Sequence, residues 1–318
     1  MSTYKQIHGT DIEVLSSDPA NPVEGQVWYN STDNVVKALF NDPGSWSTGG
    51  DLNTGRQALA GAGTQTAGLA IGGDTSPNAV TESYNGTSWT EVNDLNTGRY
   101  NLAGCGLQTA ALAFGGNVPP NTAVTESWNG TSWTEVNDLN TARGVLALAG
   151  AGTQTAALAF GGYDTADLAL TESWNGTSWT EVNDLNTARY RLGGIGTNTA
   201  ALAFGGQPGP NTITESWNGT SWTEVNDLNT EKKESAGAGT QTAGLAFGGE
   251  IPPPTGATES WNGTSWTEVN DLNTARHALA GAGTQTSALA ISGNAGPAIT
   301  AATEEWSVGP RTITFTDS

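Results

Sequence analysis

The chain is poor in the residues that build metal, redox and nucleophilic centres: its 318 residues include one cysteine, one methionine and two histidines. With Cys105 alone, an intrachain disulfide and a cysteine-type zinc cluster are both excluded. A lone thiol in an Ala/Gly-rich stretch reads as a small buried side chain. With only His8 and His277, no histidine cluster for copper, zinc or iron is expected. GxSxG, HExxH and P-loop patterns are missing as well, so neither a cofactor nor a metal is expected. Basic residues are scarce, 11 Lys and Arg against 31 Asp and Glu, for a formal net charge of −20. A field of that sign argues against nucleic acid and anionic membrane as partners. There is no apolar run long enough to span a bilayer, and the opening MSTYKQIHGTDIEVL lacks a basic start followed by an apolar core. No membrane insertion and no secretory signal are therefore expected.

What the chain has in abundance is repetition. TESWNGTSWTEVNDLNTAR recurs nearly verbatim, and its second Trp falls at Trp46, Trp89, Trp133, Trp179, Trp222 and Trp266, every 43 to 46 residues. A Gly-Gly pair, or the degraded Ser292-Gly293, separates successive copies. In the copy from Leu139 to Val182, small residues from Gly144 to Gly152 suit a crowded innermost strand. Ala156 to Phe160 then alternates Ala with Leu and Phe, which predicts a strand buried on both faces, one shallow and one bulky. Thr171 to Trp174 and Ser178 to Val182 flank Asn175-Gly176, a strong hairpin signal. Four short strands per unit of this length cannot bury their own faces and must stack on neighbours. Each copy also sets a Glu on its third strand (Glu82, Glu126, Glu172, Glu215, Glu259, Glu304) against an Arg after the DLNT turn (Arg56, Arg99, Arg143, Arg189, Arg276), with Lys232-Lys233 breaking the series. Buried Arg–carboxylate bridges are the expected outcome.

The Gly-Gly closing the second strand, the aromatic of the third strand and the Trp of the fourth resemble the kelch-repeat family of β-propellers over about residues 46 to 310. The resemblance implies a β-propeller and little about activity; six Trp strands, six Gly-Gly equivalents and six third strands then make the expected fold an all-β, six-bladed kelch-like β-propeller of four-stranded antiparallel blades. The expected division is an N-terminal β-hairpin arm over 1–44 and a propeller over 45–318. The Trp46 strand is expected to join the C-terminal blade, with residues 312–316 as the competitor for that place.

Antiparallel connections alternate ends, which predicts that the loop after Gly-Gly and the segment after DLNT emerge on one face. Both regions vary between copies while the other turns hardly change. Loops on a rigid scaffold carry recognition, so the expected ligand contacts are Tyr100, Tyr163, Asp164, Tyr190, Arg191, Lys232, Lys233 and His277. No catalytic residue is singled out, because every conspicuous carboxylate obeys the repeat.

In the arm, Gln26 to Asn30 and Val35 to Phe40 read as a hairpin. NPVEGQVWYNSTDNVVKAL resembles a short segment common in bacteriophage tail-fibre and other virion appendage proteins. The resemblance implies attachment to other virion proteins, with Trp28, Tyr29, Val35 and Leu39 as candidate attachment residues and the virion as location. The expected function is a non-enzymatic virion protein presenting its loop face to a host-surface glycan. The alternatives are capsid or tail decoration without a host ligand, and a carbohydrate-active enzyme.

Overall fold

The computed structural model describes residues 12–23, 25–74, 78–144 and 149–315. Among them there are strands and turns and no helix, hence none long and apolar enough to cross a membrane. The chain divides into two compact units, Met1–Gly44 with Val308–Ser318, and Ser45–Ser307. The strands Val35–Thr48 and Thr303–Phe315 run from one unit into the other. Residues from Val308 onward thus group with the N-terminal segment, where the sequence had placed them with the array; Thr316 lies outside the described residues.

In the larger unit the repeat becomes a series of four-stranded antiparallel sheets, a propeller-like architecture. The copy read above forms Ala149–Thr153, Ala156–Phe160, Thr171–Trp174 and Trp179–Val182, paired in that order. Among the described residues five sheets have four strands, one has six and one has two, seven in all. The count departs from the expected six because the loop after Gly161-Gly162 makes its own two-stranded hairpin, Tyr163–Asp164 with Ala166–Asp167. In the six-stranded sheet Ala280–Thr284, Ser287–Ile291, Thr303–Phe315 and Val35–Thr48 are consecutive neighbours.

The period-two pattern explains how sheets stack. Leu158 and Phe160 of one sheet meet Ala201 and Ala203 of the next, and Leu112 and Phe114 meet Ala157 and Ala159. The bulky face of each second strand fills the shallow face of its neighbour, and each fully buried Leu or Phe contributes about 1.5–3 kcal/mol. The innermost strands take Gly where backbones nearly touch: a Cβ on Gly61 would lie 2.5 Å from the Gly281 carbonyl oxygen, and one on Gly281 would lie 2.4 Å from that of Gly237. At larger radius the tryptophans fill the widening gap. Trp133 Nε1 donates to Thr81 Oγ1 of the preceding copy at 3.1 Å, and Trp179, Trp222, Trp266, Trp46 and Trp89 make the same bond to Thr125, Thr171, Thr214, Thr258 and Thr303.

The expected Arg–Glu ion pairs are present in the five copies that carry the arginine. Arg99 Nη1 lies 2.7 Å from Glu126 Oε1 and Arg143 Nη1 2.8 Å from Glu172 Oε1, with Arg56–Glu82, Arg189–Glu215 and Arg276–Glu304 equivalent, and all are buried. Burial pulls each guanidinium below its ordinary pKa, and the facing carboxylate pulls it back.

In the smaller unit, Val27–Asn30 pairs antiparallel with the start of Val35–Thr48 as expected, and a further strand, Glu13–Leu15, adds parallel to the first. Asp18 is its hub, accepting from Trp28 Nε1 (3.0 Å), Asn30 Nδ2 (2.8 Å) and Lys37 Nζ (2.9 Å).

Candidate functional site

The two variable regions meet. In copy after copy, the residue following the buried cation pairs through its backbone with the residue following Gly-Gly: Tyr100 with Asn117, Gly144 with Tyr163, Tyr190 with Gln207, Lys233 with Glu250 and His277 with Asn294. Gln57 and Asp74 repeat the contact, with Asp74 N–H donating to the Gln57 carbonyl at 2.7 Å. The arrangement follows from the repeat. Gly-Gly ends the second strand at positive φ, as at Gly161 (65°) and Gly162 (109°), and turns the chain over the incoming segment.

One residue further on, the backbone is left-handed at each described copy: Ala58, Asn101, Arg191, Glu234 and Ala278 have φ of 55, 55, 59, 56 and 51°. These residues hydrogen-bond to one another in sequence. Asn101 N–H donates to the Ala58 carbonyl, Ala58 to Ala278, Ala278 to Glu234 and Glu234 to Arg191, at 2.8 to 2.9 Å. Val145, next in register, lies outside the described residues. Non-glycine residues in this region carry about 1–3 kcal/mol of strain each and concentrate at functional positions. In a chain with 43 glycines, the side chain has been kept where glycine is the low-strain choice.

These positions line a cavity of about 490 Å³ whose wall includes Gln57, Asp74, Tyr100, Asn101, Arg191, Lys233, Glu234, Glu250, His277 and Asn294. A second cavity, about 200 Å³, runs between the Ala and Gly residues of the innermost strands, and Asn101 and Glu234 belong to both walls. The polar groups of the larger cavity are organised. Glu234 holds Arg191 Nε at 2.9 Å on one carboxylate oxygen and His277 Nδ1 at 2.6 Å on the other. Lys233 Nζ lies 3.2 Å from Glu250 Oε2, and Asn294 Nδ2 donates to Gln57 Oε1 at 2.8 Å. Among the described residues six basic side chains are buried as ion-pair partners, and Arg191 and Lys233 reach this cavity.

Of the contacts expected from sequence, Tyr100, Arg191, Lys233 and His277 line the cavity. Tyr163, Asp164 and Tyr190 do not: the Tyr163 and Tyr190 rings pack on each other at 5.3 Å, and Asp164 accepts from Asn121. Lys232 is a correction. It occupies the position of the conserved-register arginine, is fully buried, donates to the Ala257 carbonyl at 2.9 Å and lies 3.7 Å from Glu259. Burial depresses its pKa, so it is a structural cation rather than a ligand contact. Trp28 and Leu39 are corrected too, since both are buried in the smaller unit; Tyr29 and Val35 are half-buried there. Sequence reasoning missed Asn101, Glu234 and Glu250 as site residues. Their signal is register: they stand two places after the buried cation, or directly after Gly-Gly, where each copy differs.

No protein-family model matches the chain, and a search of the curated proteins finds no match.

Proposed function

We propose that the chain is a non-enzymatic bacteriophage virion protein, in which a six-bladed kelch-like propeller presents its polar loop-face cavity to a host-surface glycan. The observation that carries the reading is convergence. The repeat is nearly invariant where it packs, and residues that interrupt it, Tyr100, Arg191, Lys233 and His277, come together around one cavity. Paired hydrogen-bonding groups beside a tyrosine suit the hydroxyls and faces of a sugar ring. Six blades are supported by the six Trp–Thr bonds between successive copies, and by packing of innermost strand Ala280–Thr284 on Ala60–Thr64. On this reading the Trp46 strand closes the ring beside Thr303–Ser307, and the two-stranded hairpin is a loop feature. Virion location and attachment through the N-terminal segment rest on its resemblance to tail-fibre and appendage proteins.

The test is adsorption. Tyr100→Ala with Lys233→Ala is expected to abolish binding of the purified protein to host polysaccharide and to slow virus adsorption, with the thermal midpoint retained. Unchanged binding and adsorption would defeat the proposal. Decoration of the particle without a host ligand is the second reading, favoured by exposed Ile12, Val14, Val23 and Phe315 in the smaller unit. Cryo-electron microscopy of intact particles separates the two: an outward loop face supports host binding, and a loop face seated on another subunit supports decoration.

A further inference from the structure

We propose that His277, Glu234 and Glu250 form a binding site for a divalent transition-metal ion, of which zinc is the type, in the loop-face cavity. One ligand atom from each of the three lies within 4.8 Å of the other two. A metal about 2.0–2.2 Å from each donor needs donor separations of roughly 3–4.4 Å, so small side-chain adjustments complete the site. The imidazole selects a transition metal over calcium or magnesium, which prefer oxygen donors alone.

The surroundings fit outer support. Glu234 keeps one oxygen on Arg191 while the other faces His277, and Glu250 has one oxygen on Lys233. A carboxylate held by one oxygen presents the second in a defined direction, as outer partners of metal ligands do. Arg191 and Lys233 also offset the two carboxylates in the metal-free protein. An independent observation points to a guest. Asn101, more than nine-tenths buried, stands in the wall of the same cavity, and its Oδ1 has no hydrogen-bond partner among the described residues. Such an oxygen costs free energy unless a bound group donates to it. The three ligands also break the repeat: at the Glu234 position the other described copies carry Ala58, Asn101, Arg191 and Ala278, and the Glu250 and His277 positions carry no second Glu or His. Sites that act once in a symmetric scaffold are expected to depart from its symmetry.

The site stands independently of the glycan reading, and its test uses no host ligand. Untagged, chelator-treated full-length protein is titrated with Zn²⁺ by calorimetry and with Co²⁺ by visible absorption. One saturable site per chain is expected, weakened at least about tenfold in His277→Ala and in Glu250→Gln, and retained in His8→Ala. Both ligand variants are expected to keep the thermal midpoint of the metal-free protein, which a misfolded variant does not. Absence of saturable Zn²⁺ or Co²⁺ binding at millimolar metal overturns the proposal. Binding that survives His277→Ala, with the thermal midpoint retained, overturns it equally.

Discussion

Replacing Glu126 by glutamine isolates the buried ion pair that every copy repeats. Glu126 accepts from four donors: Arg99 Nη1 (2.7 Å), Asn96 N–H (2.8 Å), Asn96 Nδ2 (2.8 Å) and Thr97 N–H (3.3 Å). Both charged partners are fully buried. Glutamine keeps the shape, turns one acceptor into a donor among donors, and leaves Arg99 without its contacting carboxylate: Ala113 and Thr97 offer it only carbonyls, and Asp138 and Glu135 act on it more weakly. Breaking a buried pair from one side costs about 3–5 kcal/mol. At roughly 2–4 °C per kcal/mol for a domain of this size, the midpoint of thermal unfolding falls by about 6–20 °C. Glu135→Gln, on the exposed part of the neighbouring outer strand, is the reference and is expected to stay within about 0.5 kcal/mol. The double change Arg99→Met with Glu126→Leu removes both charges and is expected to be less damaging than Glu126→Gln. The reasoning is refuted if Glu126→Gln unfolds within the range of Glu135→Gln, or if the double variant is the least stable of the three.

Lys232→Arg restores the guanidinium used in the other copies, which donates both to the Glu and to a second-strand carbonyl such as Ala113 O; a rise of about 1 kcal/mol in thermal or urea unfolding is expected, and a fall contradicts the equivalence. Cys105 is buried and its thiol is pushed up to about 12, so thiol reagents at pH 8 are expected to label it only after denaturation; rapid labelling of native protein counts against its placement. Asp18 is held down to about 2, chiefly by the Asn30 side-chain amide, then by Lys37 and Trp28. Because a depressed carboxyl stabilises above its unfolded value and loses that contribution as pH falls toward its folded one, protection of the Trp28 indole N–H from hydrogen exchange should drop between about pH 4 and pH 2. Asp18→Asn should remove that pH dependence, and a step that persists in the variant refutes the role of Asp18.

Much was legible in the sequence because it repeats. Period two in Ala156–Phe160, the Asn-Gly turns and the Gly-Gly stops are local rules, and copies that obey all of them at once allow one kind of solution, stacked antiparallel sheets. The Glu and Arg registers were legible for the same reason, since a charge kept at a buried position in copy after copy demands a partner. Errors arose where single residues had to be placed against that register. Lys232 and Lys233 are adjacent, yet one is an ion-pair partner in the core and the other lines the cavity. Trp28 looked like a surface anchor because a hairpin alone does not reveal that Asp18 folds back onto it.

The sequence by itself determined the scaffold, since strand period, turn chemistry and small-residue runs act over a few residues and need no distant partner. Only the tertiary structure decided the site. Glu234, Glu250 and His277 come from different copies or from opposite sides of a loop, and their meeting depends on how the segment after each buried cation pairs with the one after Gly-Gly. That pairing sets left-handed backbone at Asn101, Arg191 and Glu234 and carries their side chains to one cavity. Proximity between residues far apart along a chain is a product of packing, which no local pattern contains.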